Sequence, residues 1–333
     1  MIEGACMKNI VLFDTAIGSS NQGDQIIYDS VVESMSEILD DAFCLRLGTH
    51  ISNYNLFQFY KKNVKQVFYE NADLKFICGT NLISPGRKVL AANAQWQLFP
   101  YNKSVYKGCI LVGVGTAGKR KEFEKGIAKL YKEVLSDKYI HSTRDQETKE
   151  LLEKLDVKAI NTGCPTLWGL TEEHCSEIPT VKSPNCVITV SGQDKYRSPQ
   201  EDQALVDITA RNYEKRWAWI QTIRDEEYLD TLQGTKDIKR IYSLNEYRRV
   251  LREEQVDYVG TRLHGGVFAL QNKVRAIVIC IDKRARSFHD FNNLPIIMRE
   301  DVPAGLEDMI NSEFRTEIRN DREAIETFLG QFR

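Results

Sequence analysis

The chain has 333 residues, a formal net charge of -2 and 42% hydrophobic residues, enough for two domains with cores of their own, since domains commonly span about 100–200 residues. The near-neutral charge excludes the basic surface of a nucleic-acid-binding protein, and the lack of an apolar run of about 18 residues excludes a membrane span. We expect no secretory signal in the first ten residues, which contain Glu3 and no sustained apolar core, and the eight cysteines are scattered. We therefore expect a cytoplasmic protein with reduced thiols and no metal site.

The first half of the chain alternates short apolar runs with helical patterns. The runs predict strands, buried on both faces of a parallel sheet, at 9–13, 74–78, 109–114, 139–144 and 157–160. Apolar residues at helical spacing predict helices at 25–39, 121–135 and 146–155. The loop after the first strand contains Gly18 and Gly23, but they do not form the G-x-G-x-x-G fingerprint of dinucleotide-binding proteins.

A second alternation follows the stretch 171–185, which has no clear periodicity and which we interpret as a linker. Strands are predicted at 186–190, 217–220, 238–242, 258–260 and 276–281. Helices are predicted at 201–215, 225–232, 244–254 and directly after 262, and the tail over 303–332 is predicted to be helical.

This order of elements predicts an α/β protein with two doubly wound, Rossmann-like domains. We expect the first domain over 1–170, the second over 186–302, and a C-terminal tail over 303–333 that packs back on the first domain. Two such domains that face a cleft describe the GT-B architecture of many sugar-modifying transferases.

Four polar groups follow predicted strands, where open α/β sheets bind their ligands. They are Asn21-Gln22-Gly23-Asp24, Gly79-Thr80-Asn81, Arg144-Asp145 and Arg262-Leu263-His264. Each has a plain structural explanation by itself, as a helix cap, a turn or a surface ion pair. Together they predict one site in the cleft, and the arginines and histidine indicate an acidic ligand.

Three sequence blocks resemble the signature of the polysaccharide pyruvyl transferase family. They are Asn21-x-Gly-Asp24, Ser142-x-Arg-Asp145 and Val259-Gly-Thr-Arg-Leu-His-Gly265, of which Arg-Leu-His-Gly is the most specific. The resemblance extends from about residue 9 to 295. The chain departs from the family at Gly163-Cys-Pro165, where Asp-Pro is more usual.

The resemblance implies transfer of a pyruvyl group from phosphoenolpyruvate to two hydroxyls of one sugar, leaving a cyclic ketal and phosphate, in capsule, exopolysaccharide or cell-wall glycan assembly. It implies that Arg144 and Arg262 bind this donor, beside Leu263 and the backbone of Gly265, and that His264 is the general acid. We expect His264 to be more fully protonated in the donor complex, because the bound anion stabilises the imidazolium. No tightly bound cofactor is implied.

The first domain is expected to receive the acceptor, a glycan or a lipid-linked oligosaccharide, and a lipid-linked acceptor would bring the protein to the inner face of the membrane. The cleft residues expected on the acceptor side are Asn21, Gly23, Asp24, Thr80 and Asn81. Asp24 is a candidate for contacting or deprotonating the acceptor hydroxyl. Tyr54, Trp96 and Tyr101 are equally consistent with stacking on a sugar and with packing.

Two other functions remain open at this stage. A nucleotide-sugar glycosyltransferase on the same architecture would need groups for a base and a diphosphate in the second domain. A non-catalytic glycan-binding paralogue predicts loss of the arginines and histidine, which this chain retains. The acceptor sugar, the linkage positions, the stereochemistry of the ketal and the oligomeric state do not follow from the sequence.

Overall fold

The structure, a computed structural model, describes residues 7–53, 55–61, 64–91, 94–118 and 120–333. The chain forms two compact units. The first unit contains the chain up to Ser19, Asp24–Trp168 and Asp321–Arg333, and the second contains Ser20–Gly23 and Gly169–Asn320. Each unit has a parallel sheet of its own.

Strands and helices alternate through both units, as the hydrophobic pattern predicts. The described strands are β1 (Lys8–Asp14), β2 (Ala42–Gly48), β3 (Leu74–Cys78), β4 (Ile110–Val112), β5 (His141–Thr143), β6 (Ala159–Asn161), β7 (Asn185–Thr189), β8 (Arg216–Trp219), β9 (Lys239–Ile241), β10 (Val256–Gly260), β11 (Ala276–Cys280) and β12 (Ile296–Met298). The described helices are α1 (Gly23–Ser34), α2 (Ser36–Leu39), α3 (Leu56–Tyr60), α4 (Val64–Glu70), α5 (Lys103–Tyr106), α6 (Lys125–Val134), α7 (Gln146–Glu153), α8 (Pro165–Trp168), α9 (Glu172–Ser176), α10 (Pro199–Asn212), α11 (Ile223–Leu229), α12 (Leu244–Glu253), α13 (Leu263–Gln271), α14 (Lys283–Asn292), α15 (Val302–Asn311) and α16 (Arg322–Gly330). None of these helices is long and apolar enough to cross a membrane.

The sheet of the first unit has the order β2-β1-β3-β4, and β5 and β6 continue it through a parallel bridge between Val114 and Thr143. The apolar run of β1 explains its central place. Val11 and Phe13 enter one core cluster, whereas Ile10 and Leu12 enter a second cluster on the other face. A strand with both faces covered has no polar side, which is why its sequence does not alternate.

The second unit has a six-stranded parallel sheet in the order β12-β11-β10-β7-β8-β9. The first strand of this unit lies in the middle, the next two extend to one side, and the last three extend to the other. This is the strand order of a Rossmann fold, with its topological switch point between β7 and β10. All carboxyl ends lie at one edge because every pairing is parallel.

The predicted linker over 171–185 is instead part of the second unit. Thr171 caps α9, since its hydroxyl accepts a hydrogen bond from the His174 amide at 3.0 Å. The His174 ring contacts the Leu270 carbonyl at 2.8 Å, and the Ser183 amide donates to Asp257 at 3.2 Å. Leu270 and Asp257 lie more than 70 residues away along the chain, so the local sequence pattern over 171–185 cannot predict these contacts.

The predicted tail over 303–333 divides between the two units. Helix α15 belongs to the second unit, where Val302, Leu306 and Ile310 are fully buried in its core. Only α16 joins the first unit, where Phe328 and Leu329 pack in the cluster of Ile10 and Leu12. The predicted packing of the C-terminal helix on the first domain is therefore confirmed for α16 and wrong for α15.

Strand β2 has no counterpart among the predicted elements. It is only partly covered, with Phe43 and Cys44 exposed and Leu45 and Leu47 partly buried. It lies at the edge of the sheet and pairs with β1 alone. An edge strand lacks the continuous apolar run that marks a central one, and Arg46 interrupts the pattern further.

Candidate active site

The loops at the carboxyl edge of the second sheet are the natural place for a ligand in this unit. The loops after β7 and β10 flank the switch point, and the loop after β8 lies beside them. These three loops supply Gly192, Thr222 and Arg262. The predicted Arg-Leu-His block thus lies at the position where open α/β sheets bind ligands.

Arg262 ends the loop after β10 and precedes α13, and its guanidinium is held from one side. Its Nε donates to Asp225 at 3.1 Å, its Nη2 donates to the other oxygen of Asp225, and Nη2 also donates to the Thr222 hydroxyl at 3.2 Å. Its Nη1 makes no hydrogen bond to any residue that the structure describes. The side chain is 8% exposed, so the fork is fixed in direction before any ligand arrives.

Asp225 is the residue that fixes this direction, and the sequence reasoning missed it. Its carboxylate accepts hydrogen bonds from the Gly192 amide at 2.8 Å and the Thr222 amide at 3.0 Å, besides those from Arg262. Thr222 and Asp225 form a capping box at the start of α11. The spacing Thr-x-x-Asp is a sequence signal for such a box, but it does not disclose that the acid also binds an arginine 37 residues away.

Two glycines allow these loops to approach so closely. A Cβ at Gly192 would lie 1.8 Å from the Arg224 carbonyl oxygen, and one at Gly260 would lie 2.2 Å from the Thr189 hydroxyl. The Thr189 hydroxyl accepts from the Arg262 amide at 3.1 Å. Any side chain at either glycine would therefore separate the loops that hold Arg262.

Helix α13 presents His264 in its first turn, and the ring is almost fully buried. The His264 ring meets the ring of Phe288 edge-on at 6.4 Å. Gly265 packs against two aromatic side chains, since a Cβ there would be 3.0 Å from both Trp219 and the Tyr258 hydroxyl. Leu263 is also buried. The packing fixes the start of α13, and with it the position of the imidazole.

Asn21 and Gly23 belong to the second unit, where they lie on the loop after β8. The Asn21 side-chain oxygen accepts from the Gly23 amide at 3.1 Å and from the Gln221 side chain. Gln22 adds bonds to the carbonyls of Ile220 at 3.1 Å and Tyr242 at 2.8 Å. The segment is thereby fixed next to Thr222, a partner of Arg262.

In the first unit, Thr80, Asn81 and Arg144 come together at the carboxyl edge of the sheet. Arg144 follows β5 and donates through Nη2 to the side-chain oxygen of Asn81, which follows β3. Its Nε lies 3.6 Å from the carboxylate of Asp145, and its side chain is 6% exposed. Gly115, after β4, lies under this contact, since a Cβ there would be 2.4 Å from the Arg144 Nε.

Thr80 has a strained backbone, with a φ of 59°. A β-branched residue with positive φ is a genuine outlier that the surrounding structure must enforce, and such strain is concentrated at functional sites. The Thr80 carbonyl accepts from the Gly115 amide at 2.9 Å and from the Leu82 amide at 3.1 Å. These bonds join the loop after β3 to the loop after β4.

The remaining predicted residues have different surroundings. Asp24 is buried in the first turn of α1 and accepts from the Ser19 hydroxyl at 2.5 Å. Trp96 is 1% exposed and packs edge-on against Tyr106 and Tyr131, so it is a core residue and cannot stack on a sugar. Tyr101 stacks on Phe99 at 5.3 Å, and Tyr54 lies outside the described residues.

The structure thus brings the predicted residues together in two groups. Arg262, Leu263, His264 and Gly265 lie with Asn21 and Gly23 in the second unit, and Thr80, Asn81 and Arg144 lie together in the first. That both groups act on one bound donor stays a prediction. In the part of the chain that the structure describes, no three His, Cys, Asp or Glu side chains are grouped to hold a metal ion.

Comparisons with known proteins identify the family of the chain. The model of the polysaccharide pyruvyl transferase family matches residues 21–282, a span that contains both groups of predicted residues. No curated protein sequence matches the chain.

Solved structures resemble the chain in fold. The UDP-GlcNAc 2-epimerase of Methanocaldococcus jannaschii, in complex with UDP-GlcNAc and UDP, is 12% identical, with a TM-score of 0.50 over 98% of this chain and 99% of that one. A UDP-N-acetylglucosamine 2-epimerase from Listeria monocytogenes is also 12% identical, with a TM-score of 0.51 over 98% of this chain and 91% of that one. At this identity the likeness shows the fold alone, which is GT-B.

Proposed function

Because the chain belongs to the polysaccharide pyruvyl transferase family, we propose that it moves the pyruvyl group of phosphoenolpyruvate onto two hydroxyls of one glycan sugar. The products are a pyruvate ketal and phosphate, and the reaction serves capsule, exopolysaccharide or cell-wall glycan assembly. The observation that carries the proposal is the position of the Arg262-Leu-His264 block at the switch point of the second sheet.

Arg262 binds an oxygen of the donor through Nη1, the nitrogen that Asp225 and Thr222 leave available. Phosphoenolpyruvate carries a phosphate and a carboxylate, and a guanidinium suits either. Asp225 neutralises much of the charge of Arg262 but fixes its direction. Arg144 is the second donor-binding cation, and Asn81 holds it as Asp225 holds Arg262.

His264 supplies the proton that starts the reaction. It protonates the methylene carbon of the donor, which becomes a methyl group, and C2 becomes an oxocarbenium-like centre. One sugar hydroxyl adds to C2, the C2–O bond to phosphate breaks with its electron pair, and the second hydroxyl adds to the same carbon. The two hydroxyls release two protons in all, of which one restores His264 and one is taken up by the phosphate.

Phosphate release from phosphoenolpyruvate, measured with a panel of galactoside and hexosamine acceptors, tests this proposal. We expect release only with acceptors that offer two suitably spaced hydroxyls, and one ketal formed per phosphate. Activity on UDP-GlcNAc or another UDP-sugar, with none on phosphoenolpyruvate, would instead assign the chain to nucleotide-sugar chemistry.

Substitution of the general acid separates binding from chemistry. We expect His264→Ala to lower kcat by about 10²–10⁴-fold while donor binding, measured by calorimetry, is retained. Arg144→Ala and Arg262→Ala should mainly weaken donor binding. Unchanged turnover in His264→Ala, or donor affinity unaffected by both arginine variants, would contradict the assigned roles.

A further inference from the structure

An exposed tyrosine at the carboxyl edge of the second sheet has no part in the site described above. Tyr242 directly follows β9, and its side chain is 55% exposed. The aromatic residue that ends the neighbouring strand β8, Trp219, is fully buried. The Tyr242 ring is therefore open to solvent at the edge where open α/β sheets bind their ligands.

Two hydrogen bonds hold Tyr242 in place. Its phenol hydroxyl donates to the Glu226 carboxylate at 2.5 Å, and its backbone carbonyl accepts from the Gln22 side chain at 2.8 Å. The two bonds act at opposite ends of the residue, so the ring has little freedom left to lose when a ligand packs on it. An exposed ring that is already fixed is suited to binding, because a mobile side chain must first be ordered.

The bond to Glu226 also gives the direction in which the ring points. Strand β9 is the outermost strand of the order β10-β7-β8-β9, and Glu226 lies on α11, which follows the inner neighbour β8. The Tyr242 side chain therefore extends over the loop after β8, towards the switch point and away from the outer edge of the sheet.

The first turns of α11 connect the Tyr242 ring with Arg262. Asp225 on this helix binds the Arg262 guanidinium. The next residue, Glu226, binds the Tyr242 hydroxyl. Strands β8 and β9 pair directly, so the loops that follow them are neighbours. A ligand on the Tyr242 ring would therefore lie next to a ligand that Arg262 binds.

The groups around the Tyr242 ring favour a sugar. One face of a pyranose consists of C–H groups that pack on an aromatic ring, whereas its hydroxyls need hydrogen-bond acceptors. The second carboxylate oxygen of Glu226, Oε2, accepts no hydrogen bond from the residues that the structure describes, so it is available to such a hydroxyl. A nucleoside diphosphate fits less well, because the Glu226 carboxylate beside the ring repels its phosphates.

We propose that one sugar of the glycan acceptor stacks on the Tyr242 ring and donates a hydrogen bond from a hydroxyl to Glu226. This inference rests on the proposed function, in which the acceptor must meet the donor at Arg262. It assigns part of acceptor recognition to the second unit, the unit to which Asn21 and Gly23 of the expected acceptor side also belong.

Saturation-transfer NMR on the full chain tests the stacking without any turnover. The probes are methyl β-galactoside and methyl β-N-acetylglucosaminide. We expect saturation transfer to the C–H protons of one face of at least one of these sugars, and a loss of about fivefold or more in Tyr242→Ala. Tyr242→Phe keeps the ring and loses only the bond to Glu226, so it should bind within about threefold of the unsubstituted chain.

The matched control is Phe291→Ala, because Phe291 is an aromatic residue of the same unit that is 70% exposed but lies on α14. It should give the signal of the unsubstituted chain. No saturation transfer to either sugar, or equal transfer in Tyr242→Ala, would overturn the proposal. Transfer to uridine and to neither sugar, abolished in Tyr242→Ala, would assign the ring to a nucleobase instead.

Steady-state kinetics keeps this proposal separate from the proposed function. With phosphoenolpyruvate and an acceptor from the phosphate-release panel, Tyr242→Ala should raise the acceptor KM by about 5–30-fold and leave the donor KM unchanged. An unchanged acceptor KM would overturn the stacking and leave the transfer reaction standing. Sugar binding as expected, without phosphate release from phosphoenolpyruvate, would contradict the transfer reaction and leave the sugar-binding role of Tyr242 standing.

Discussion

Asp225 and Arg262 form a buried ion pair, and its main effect is to fix the direction in which the Arg262 guanidinium points. Two carboxylate oxygens, the Thr222 hydroxyl and a capping box hold one side of the guanidinium, so the arginine has no rotameric freedom left to lose when a ligand binds. An arginine held in this way loses less entropy for each hydrogen bond that it makes to an anion.

We expect Asp225→Asn to raise the donor KM by about 100-fold, because a misdirected guanidinium misplaces the donor, with the acceptor KM unchanged. Steady-state kinetics over both substrates measures this difference. Asp202→Asn is the matched control, since Asp202 is equally buried and forms a two-oxygen ion pair with Arg299 in the same unit. The control should lose stability and keep its donor KM. Equal changes of donor KM in both variants would mean that Asp225 has only a general structural role.

His141 gives the first unit a pH-dependent stability. It is fully buried in β5, where Nδ1 accepts from the Leu111 amide at 3.1 Å and Nε2 donates to the Ser136 carbonyl at 2.9 Å. Burial disfavours the charged ring and lowers the pKa of His141 to about 4. The neutral ring is the form that this site requires.

The unfolded chain takes up a proton at His141 near its ordinary pKa of about 6.5, whereas the folded chain does so only near a pKa of about 4. Stability is therefore fully present above pH 6.5, and about 3 kcal/mol is lost as the pH falls through this window. Urea unfolding at several pH values should show a smaller loss for His141→Gln, which cannot titrate. An identical pH dependence in both proteins would exclude His141 as the source.

At the scale of elements, the loops after β3, β4 and β5 form one packed layer at the edge of the first sheet. Gly115 allows the contact of Asn81 with Arg144, and the Thr80 carbonyl bonds the Gly115 amide. The strained φ of Thr80 is enforced by this layer rather than by its own sequence.

A methyl group at Gly115 should therefore displace the Arg144 side chain. We expect Gly115→Ala to cost about 1–3 kcal/mol of stability, because the added Cβ overlaps the guanidinium, and to weaken donor binding as the arginine is displaced. Gly126→Ala is the matched control. Gly126 lies in α6 with no atom within 4 Å of an added Cβ, so the change should stabilise by about 0.4–1 kcal/mol. Urea unfolding measures the stability of both variants, and calorimetry measures their donor binding. A gain of stability in both variants would contradict the packing argument.

At the scale of the whole molecule, the chain leaves the first unit after Trp168 for the long segment Gly169–Asn320 of the second unit, and it returns to the first at Asp321. The returning helix α16 completes a core. Phe328 is fully buried, meets Phe332 at 5.4 Å and Trp168 at 6.2 Å, and shares a cluster with the central strand β1. The last helix of the chain is thus needed for the first unit.

We expect Phe328→Ala to destabilise the first unit by about 3–5 kcal/mol through the cavity that it leaves. Hydrogen exchange should show the loss in β1 and β3 and no change in β7 and β10. The exposed Phe291→Ala should stay within about 0.5 kcal/mol of the unsubstituted chain. Equal loss of protection in both sheets would mean that the units unfold as one.

The sequence by itself determined the fold class, the central strands and the Arg-Leu-His block. Those features are local, because a strand covered on both faces is apolar throughout, and the block is a contiguous run at a strand end. The packing of the C-terminal tail on the first domain was predicted from the GT-B architecture, and it holds for α16 alone. The edge strand β2, whose pattern Arg46 interrupts, was missed.

Only the tertiary structure shows which residues hold the predicted side chains and elements in place. Asp225 reaches Arg262 across 37 residues, Asn81 reaches Arg144 across 63, and α9 is fixed to the second unit through Leu270. For the two arginines the partner is specified by the strand order of the sheet, which brings carboxyl ends from distant parts of the chain to one edge. Sequence patterns record the environment of a residue, whereas such contacts depend on which strand lies next to which.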